Sequence, residues 1–214
     1  MKTLIAIPCM DTVPVGFTLS LLHLIKGTDT DVIMQSNSLV YDSRNLIAIT
    51  AIEKGYDRVM WFDSDMVFTP VTMQILHEDL DNAFGKPKHM ATGLYFKRKP
   101  PYTPVIFSEL DEPGPDKNGQ FVKRIKEYDL NYPHDTLFTV AGCGFGCCMT
   151  SVQLLKDVWD HYGPAFAPYP WAGEDLSFCH RVNQLGYQIW CDSRISCGHI
   201  GQYVYTEENC TRKE

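Results

Sequence analysis

The chain begins with short strand-like apolar runs that alternate with apolar positions at helical spacing. The runs occupy residues 4–7, 31–35 and 58–62. Between them, residues 17–25 and 46–53 carry apolar side chains three or four positions apart, which is the spacing of one helix face. This alternation predicts an α/β fold: a three-layer α/β/α sandwich with a mostly parallel central sheet.

A third helix is predicted to begin near Thr69, which has an N-cap side chain and is followed by Pro70, a residue suited to the first helical position. Residues 90–96 predict another strand. The pattern then changes, because residues 97–120 hold five prolines and two glycines. We expect this segment to be mostly loop around a short strand at 105–107, and to be either an active-site flap or a surface excursion.

The second half of the chain returns to alternating strand and helix patterns. It contains a glycine-rich segment at residues 141–146. Strands are predicted at residues 121–128, 137–140 and 187–191, and helices at residues 152–162 and 174–185. With no repeat or low-complexity tract to divide it, the chain is expected to form a single domain over residues 1–214.

Charge excludes some classes of partner. The chain has 19 basic and 26 acidic residues and a net charge of −7, which disfavours binding to nucleic acid or to an anionic membrane surface. Residues 12–25 are free of Asp, Glu, Lys and Arg but are too short to span a bilayer. The apolar run that ends at Pro8 is too short for an export signal. We therefore expect a cytoplasmic protein without a transmembrane segment.

Eight cysteines need an explanation in such a chain. In a reducing compartment they would be free thiols that pack as small apolar side chains. A structural zinc site is the alternative, although no pair has the C-x2-C spacing of a zinc ribbon. The candidates for that site are Cys143, Cys147, Cys148, Cys191, Cys197 and His199, and the other three cysteines are Cys9, Cys179 and Cys210.

Polar residues follow three of the predicted strands, at residues 8–11, 35–38 and 63–65. In an open α/β sheet the carboxyl ends of the strands border the ligand crevice, so we expect these segments to converge. Asp63 and Asp65 could share a divalent cation that bridges a diphosphate. The same pair could equally form a solvated turn before the third helix, and a D-x-D pattern alone is common by chance.

Two more groups of residues suggest chemistry. Glu174 and Asp175 open a predicted helix, where the helix dipole alone would explain them. The aromatic residues of segment 164–170 and Trp171 could stack on a sugar or pack on the core. His199 lies near two glycines and could complete a metal site, although a lone histidine is more often structural.

Taken in order, these segments resemble the GT-A fold glycosyltransferases of the family 2 type, over nearly the whole chain. The matching segments are residues 5–8, 42–45, 63–65, 141–144, 173–178 and 181–187, with His199. The resemblance implies a nucleotide-sugar-binding half (1–96), a possible flap (97–120) and an acceptor-binding half (121–214).

The resemblance also assigns roles to individual residues. Asp175 would be the general base, and Glu174 would contact the acceptor or the donor. Asp63, Asp65 and His199 would bind Mn²⁺ or Mg²⁺. The donor would contact Pro8, Met10, Asp11, Arg44, Asp63, Ser64 and Asp65, and the acceptor would contact Gly142, Cys143, Gly144 and Trp171.

The implied activity is transfer of a sugar from a nucleotide-diphosphate donor, expected to be a UDP-sugar, to an acceptor hydroxyl. Inversion is favoured by analogy with relatives that have a carboxylate pair opening a helix. A sugar nucleotidyltransferase is an alternative, but residues 8–12 lack the glycine-rich basic loop that usually follows its first strand. The second alternative is a non-catalytic nucleotide-sugar-binding module of the same fold. Such a module should have lost some of Asp63, Asp65, Asp175 and His199, all of which are present.

Overall fold

The computed structural model of the protein describes residues 1–81, 88–201 and 204–207. Within these residues no helix is long and apolar enough to cross a membrane. The helices are α1 (Val15–Ile25), α2 (Val40–Glu53), α3 (Thr72–Asp81), α4 (Val152–Tyr162) and α5 (Glu174–Gln184). The strands are β1 (Thr3–Pro8), β2 (Asp31–Gln35), β3 (Arg58–Phe62), β4 (Met66–Val67), β5 (Met90–Leu94), β6 (Ile106–Pro115), β7 (Phe121–Glu127), β8 (Leu137–Val140), β9 (Gly142–Cys143), β10 (Cys147–Ser151), β11 (Ile189–Ser196), β12 (Gly198–Ile200) and β13 (Val204–Tyr205).

The central sheet has seven strands in the order β2-β1-β3-β10-β5-β11-β8. Strand β1 is parallel to β2 and β3, and β11 is parallel to β5. Strand β10 runs antiparallel to both of its neighbours, and β8 runs antiparallel to β11. Five of the seven strands therefore point the same way, which confirms the α/β class and the mostly parallel central sheet.

Helices cover both faces of this sheet, because its central strands are apolar on both faces. Along β1, Leu4 and Ala6 pack in one apolar cluster, whereas Ile5 and Ile7 pack in the other. The first cluster includes side chains of α2, α4 and α5, and the second includes side chains of α1 and α3. The protein thus has a buried core on each side of the sheet.

Residues 97–120 differ from the prediction. Strand β6 extends over ten residues and pairs with β7, so half of the expected loop is a β-hairpin. Its turn is closed by Asp116, whose Oδ1 accepts hydrogen bonds from the backbone N–H groups of Asn118 and Gln120. The proline-rich composition concealed this strand. Strand β6 is the middle strand of its three-stranded sheet, but β9 pairs with it only at Ile106 and Phe107, so Pro113 and Pro115 lie beyond that pairing, where a missing backbone N–H is tolerated.

A seven-residue loop remains at residues 97–103, which we call the basic loop. Its base is held by backbone hydrogen bonds from Lys97 N to Thr103 O (3.0 Å) and from Val105 N to Tyr95 O (2.9 Å). The flap predicted over residues 97–120 is therefore two units, this short loop and the β6–β7 hairpin.

Three other boundaries differ. Helix α3 begins at Thr72, because Thr69 and Pro70 belong to a preceding turn in which Thr72 N donates to Thr69 O. Strand β11 starts two residues after the predicted position and runs on to Ser196. Strand β10 was not predicted, since its five residues pass directly into α4 without a turn residue.

Candidate functional site

The carboxyl ends of β1, β3 and β5 border a cavity of about 540 Å³. The predicted convergence of strand ends is found there, since the cavity receives residues that follow β1, β2 and β3. Its walls are formed by Pro8, Cys9, Met10, Ser38, Val40, Ser43, Arg44, Asp63, Ser64, Asp65, Tyr95, Lys97, Arg98, Lys99, Val105, Glu174, Asp175 and His199.

Arg44, on α2, connects two groups of carboxylates in this cavity. Its side chain is only 3% exposed, Nη2 donates to Asp63 Oδ1 (2.7 Å), and Nη1 donates to Glu174 Oε1 (2.5 Å). Burial alone would lower the pKa of Arg44, but the negative charges of Asp63, Glu174 and Asp175 outweigh it and raise that pKa. The guanidinium is therefore a fixed positive charge between the two groups, with its carbon 5.2 Å from the ring centroid of Phe145.

Asp175 is the second residue of α5 and accepts a hydrogen bond at Oδ1 from Leu176 N (2.7 Å). Burial, and after it the charge of Glu174, raise the pKa of Asp175 to about 6. Arg44 opposes this shift. A carboxyl group with a pKa near neutrality can exchange a proton at physiological pH, as a general base must.

The segment from Asp63 to Asp65 is a tight turn, in which Met66 N donates to Asp63 O (3.2 Å). Asp65 Oδ2 lies 2.8 Å from Arg98 Nη1 and 3.5 Å from His199 Nε2. Burial would raise the pKa of Asp65, but His199 and Arg98 outweigh it, so the pKa is lowered. Asp65 is therefore a carboxylate over the physiological pH range.

His199 reaches Asp65 because β12 pairs with β4, which opposes His199 to Met66, the residue after Asp65. His199 Nδ1 lies 2.8 Å from Phe96 O. A carbonyl oxygen only accepts, so Nδ1 carries the proton and Nε2 is the atom directed at Asp65. This arrangement is typical of metal-binding histidines, whose second ring nitrogen is held by a carbonyl or carboxylate.

The basic loop supplies Lys97, Arg98 and Lys99 to the cavity wall. Arg98 Nη1 bonds to Asp65 and also donates to Ile200 O (3.0 Å). Lys97 Nζ lies 2.5 Å from Glu127 Oε1, so it is held by the β6–β7 hairpin instead.

Tyr95 is a cavity residue that the sequence analysis did not single out. Its hydroxyl accepts a hydrogen bond from Gly146 N (3.3 Å), and its ring centroid lies 5.4 Å from that of His199. Its position could have identified it from the sequence, because Tyr95 directly follows β5 and lies at the same edge of the sheet as Asp63.

Five predicted site residues do not line this cavity. Asp11 is exposed outside its wall. Gly142 and Cys143 are buried in β9, which pairs with β6, and Gly144 is buried against Tyr95. Trp171 stacks on Tyr169 with ring centroids 5.2 Å apart.

Close packing, rather than a place in the cavity wall, explains the glycines of the segment 141–146. A Cβ atom on Gly144 would lie 1.9 Å from Tyr95 Oη, and one on Gly142 would lie 2.9 Å from Leu110 Cδ2. Glycine is therefore needed there for close approach of neighbouring side chains.

Metal ligands are present but not preassembled. Across the three described stretches of the chain, no group of three His, Cys, Asp or Glu side chains is arranged to hold a metal ion. Asp63 is bonded to Arg44, and Asp65 to Arg98. The chemistry nevertheless suits a divalent cation, because Asp65 Oδ2 and His199 Nε2 face each other at 3.5 Å, and a carboxylate oxygen and an imidazole nitrogen are both metal ligands.

The described cysteines, at positions 9, 143, 147, 148, 179, 191 and 197, are free thiols, and all but Cys9 are buried. They pack in the two apolar clusters of the core or against them. Cys210 lies outside the described residues.

Comparison with known proteins identifies a fold but no family. No protein-family model and no curated protein matches the sequence. Among solved structures, the chain is similar to A197 from STIV, with a TM-score of 0.67 and 19% sequence identity. The similarity covers 94% of this chain and 86% of that chain. The shared feature is the arrangement of the whole α/β domain.

Proposed function

We propose that the protein is a metal-dependent glycosyltransferase that moves a sugar from a nucleotide-diphosphate donor, a UDP-sugar in the first instance, to an acceptor hydroxyl. One observation carries the proposal. Asp63, Asp65 and His199 line the same cavity as Glu174 and Asp175, and Arg44 bonds to both groups. The residues that we assign to a cation and the residue that we assign as general base therefore line one cavity.

The donor would bind along the carboxyl ends of β1 and β3. Pro8, Met10 and Val40 offer apolar contacts for the nucleoside. Asp63, Asp65 and His199 would hold Mn²⁺ or Mg²⁺, which supplies charge neutralisation on the leaving diphosphate. Apolar contacts at one end and charges at the other would orient the donor in the cavity.

Asp175 would act on the acceptor. The acceptor oxygen attacks the anomeric carbon, its proton passes to a carboxylate oxygen of Asp175, and the bond from that carbon to the diphosphate oxygen breaks. The raised pKa of Asp175 makes it a stronger base than an exposed carboxylate while leaving it mostly deprotonated at pH 7. A base that deprotonates the attacking acceptor fits a single displacement, hence inversion.

The two alternative functions differ in what they would do to a nucleotide sugar. A nucleotidyltransferase usually carries a basic glycine-rich loop after its first strand, and Cys9, Met10 and Asp11 follow β1 here. A binding module would hold the donor without turnover. Offering the protein a panel of nucleotide sugars with Mn²⁺ and no acceptor separates the readings, because a transferase slowly hydrolyses its own donor.

The metal and base assignments are tested by calorimetry with UDP and Mn²⁺. We expect Asp65→Ala to remove Mn²⁺-dependent UDP binding, because it deletes the carboxylate that faces His199. We expect Asp175→Asn to keep UDP binding nearly intact and to abolish transfer, because the amide cannot accept the acceptor's proton.

Each variant serves as the control for the other. Unchanged Mn²⁺-dependent binding in Asp65→Ala would contradict the donor site. Full turnover in Asp175→Asn would contradict the assignment of the base.

A further inference from the structure

Arg98 bonds to the carboxylate that the proposed function assigns to the cation. Its Nη1 lies 2.8 Å from Asp65 Oδ2 and 3.0 Å from Ile200 O. Oδ2 is the same oxygen that faces His199 Nε2 at 3.5 Å. A divalent cation between Asp65 and His199 would therefore share this oxygen with the guanidinium, and two positive charges at one carboxylate oxygen repel each other.

We propose that Arg98 is an internal counter-ion of the cation site. In the ligand-free protein it neutralises Asp65, and it leaves Asp65 for the diphosphate when the donor binds, so that donor and cation bind as a pair. This inference rests on the proposed function and adds an order of events to it.

Arg98 has the freedom and the chemistry for this exchange. Its side chain is 47% exposed, so rotation about its own bonds can move the guanidinium without unfolding anything. The base of the basic loop is held separately, by the backbone hydrogen bonds of Lys97 and Val105. The planar guanidinium can donate two parallel hydrogen bonds to a phosphate, which makes a diphosphate a strong competitor of a single Asp65 oxygen.

His199 is not disturbed by the exchange. Its Nδ1 is bonded to Phe96 O, and Ile200 N donates to Asp65 O (2.7 Å), so the backbone of β12 stays attached when Arg98 leaves. The oxygen and the imidazole nitrogen that would bind the cation thus keep their backbone attachments, and the departure of Arg98 removes a positive charge from Asp65 Oδ2.

The test is a titration with Mn²⁺, followed by electron paramagnetic resonance of the free ion, with and without UDP. We expect Arg98→Met to bind Mn²⁺ about fivefold more tightly than wild type in the absence of UDP. A change of this size corresponds to the free energy of one half-exposed ion pair. UDP should raise the Mn²⁺ affinity of Arg98→Met by a smaller factor than that of wild type, because no guanidinium remains to be displaced.

Lys99→Met is the matched control. Lys99 lines the same cavity and carries the same charge, but it does not bond to Asp65. We expect its Mn²⁺ affinity without UDP to stay near that of wild type. Equal Mn²⁺ affinities in Arg98→Met and Lys99→Met would overturn the inference, because removal of any positive charge from the cavity wall would then have the same effect.

Asp65→Asn separates this inference from the proposed function. If Asp65→Asn loses Mn²⁺ binding and Arg98→Met shows no increase in Mn²⁺ affinity, the counter-ion role is overturned and the proposed cation site is retained. Normal UDP-dependent Mn²⁺ binding in Asp65→Asn would contradict the proposed function itself.

Discussion

At Asp175, burial and the neighbouring charge of Glu174 raise the carboxyl pKa to about 6. The folded protein therefore binds this proton more tightly than the unfolded chain, whose carboxyl has a pKa near 3.8. Because of this difference, the free energy of unfolding decreases as the pH rises from about 4 to about 6. Above pH 6 the folded state carries the full cost of keeping Asp175 ionised in its buried environment.

Asp175→Asn should remove that cost. We expect its free energy of unfolding at pH 7.5 to exceed that of wild type by up to about 3 kcal/mol, because about two pKa units of destabilisation disappear. At pH 4 the two proteins should be nearly equally stable. Urea denaturation at the two pH values measures this.

Glu174→Gln is the contrasting variant, because Glu174 is ion-paired with Arg44 and the substitution removes the negative charge that faces that buried guanidinium. It should be less stable than wild type at pH 7.5. An Asp175→Asn protein that gained equal stability at both pH values would contradict the raised pKa.

Much of the site was predictable at the level of residues. Asp63, Asp65 and Asp175 follow a strand or open a helix, and such positions are marked by local pattern. The partners of these residues were not predictable. The bonds from Arg44 to Glu174 and from Arg98 to Asp65 join segments far apart in the chain, and nothing local in the sequence encodes such pairing.

At the level of elements, close packing between strands explains a glycine that no turn requires. Gly93 lies in β5, and a Cβ atom there would lie 2.4 Å from Ile195 Cγ2 and 3.3 Å from Cys147 Sγ. The side chain of Ile195 on β11 thus covers the place where a side chain of β5 would stand. Glycine at position 93 allows β11 to pack closely against β5.

Gly93→Ala should therefore destabilise the protein by about 1–3 kcal/mol, the usual range for overpacking a core. Gly16→Ala is the matched control, because Gly16 lies in α1 and a Cβ atom there meets its nearest neighbours at 3.4 Å or more. Alanine in a helix should add up to about 1 kcal/mol of stability. Denaturant unfolding compares the two, and equal effects would contradict this packing.

Elements with a strong apolar pattern were predicted well, whereas β10 and β6 were not. Strand β10 consists of two cysteines, a methionine, a threonine and a serine and runs straight into α4, so neither an aromatic or branched apolar run nor a turn marks it in the sequence. It takes its strand conformation from β3 and β5 on either side, which is a property of the sheet rather than of its five residues.

At the level of the whole molecule, the two halves expected from the sequence share one sheet. Strand β10 of the second half lies between β3 and β5 of the first, and β11 pairs with β5. The halves are therefore not separable units. The basic loop leaves this shared sheet after β5 and reaches the cavity from there.

Donor binding should protect the basic loop from protease. Trypsin can cut after Lys97 and Arg98, and we expect UDP with Mn²⁺ to slow both cuts, because the loop would then contact the diphosphate. Lys117, exposed in the turn of the β6–β7 hairpin, is the internal control and should be cut at an unchanged rate. Mass spectrometry of the early fragments measures this, and cleavage after residues 97 and 98 at a rate unaffected by UDP with Mn²⁺ would contradict contact between the loop and the diphosphate.

The pairing of His199 with Met66 also has a consequence for how the protein is made. Synthesis proceeds from the amino terminus, so β1, β2 and β3 can form their parallel ladder while the ribosome is still producing the rest. Strand β12 emerges much later, and until it pairs with β4 the two aspartates have no histidine beside them. A nascent chain would consequently lack the histidine of the proposed cation site until synthesis has passed β12.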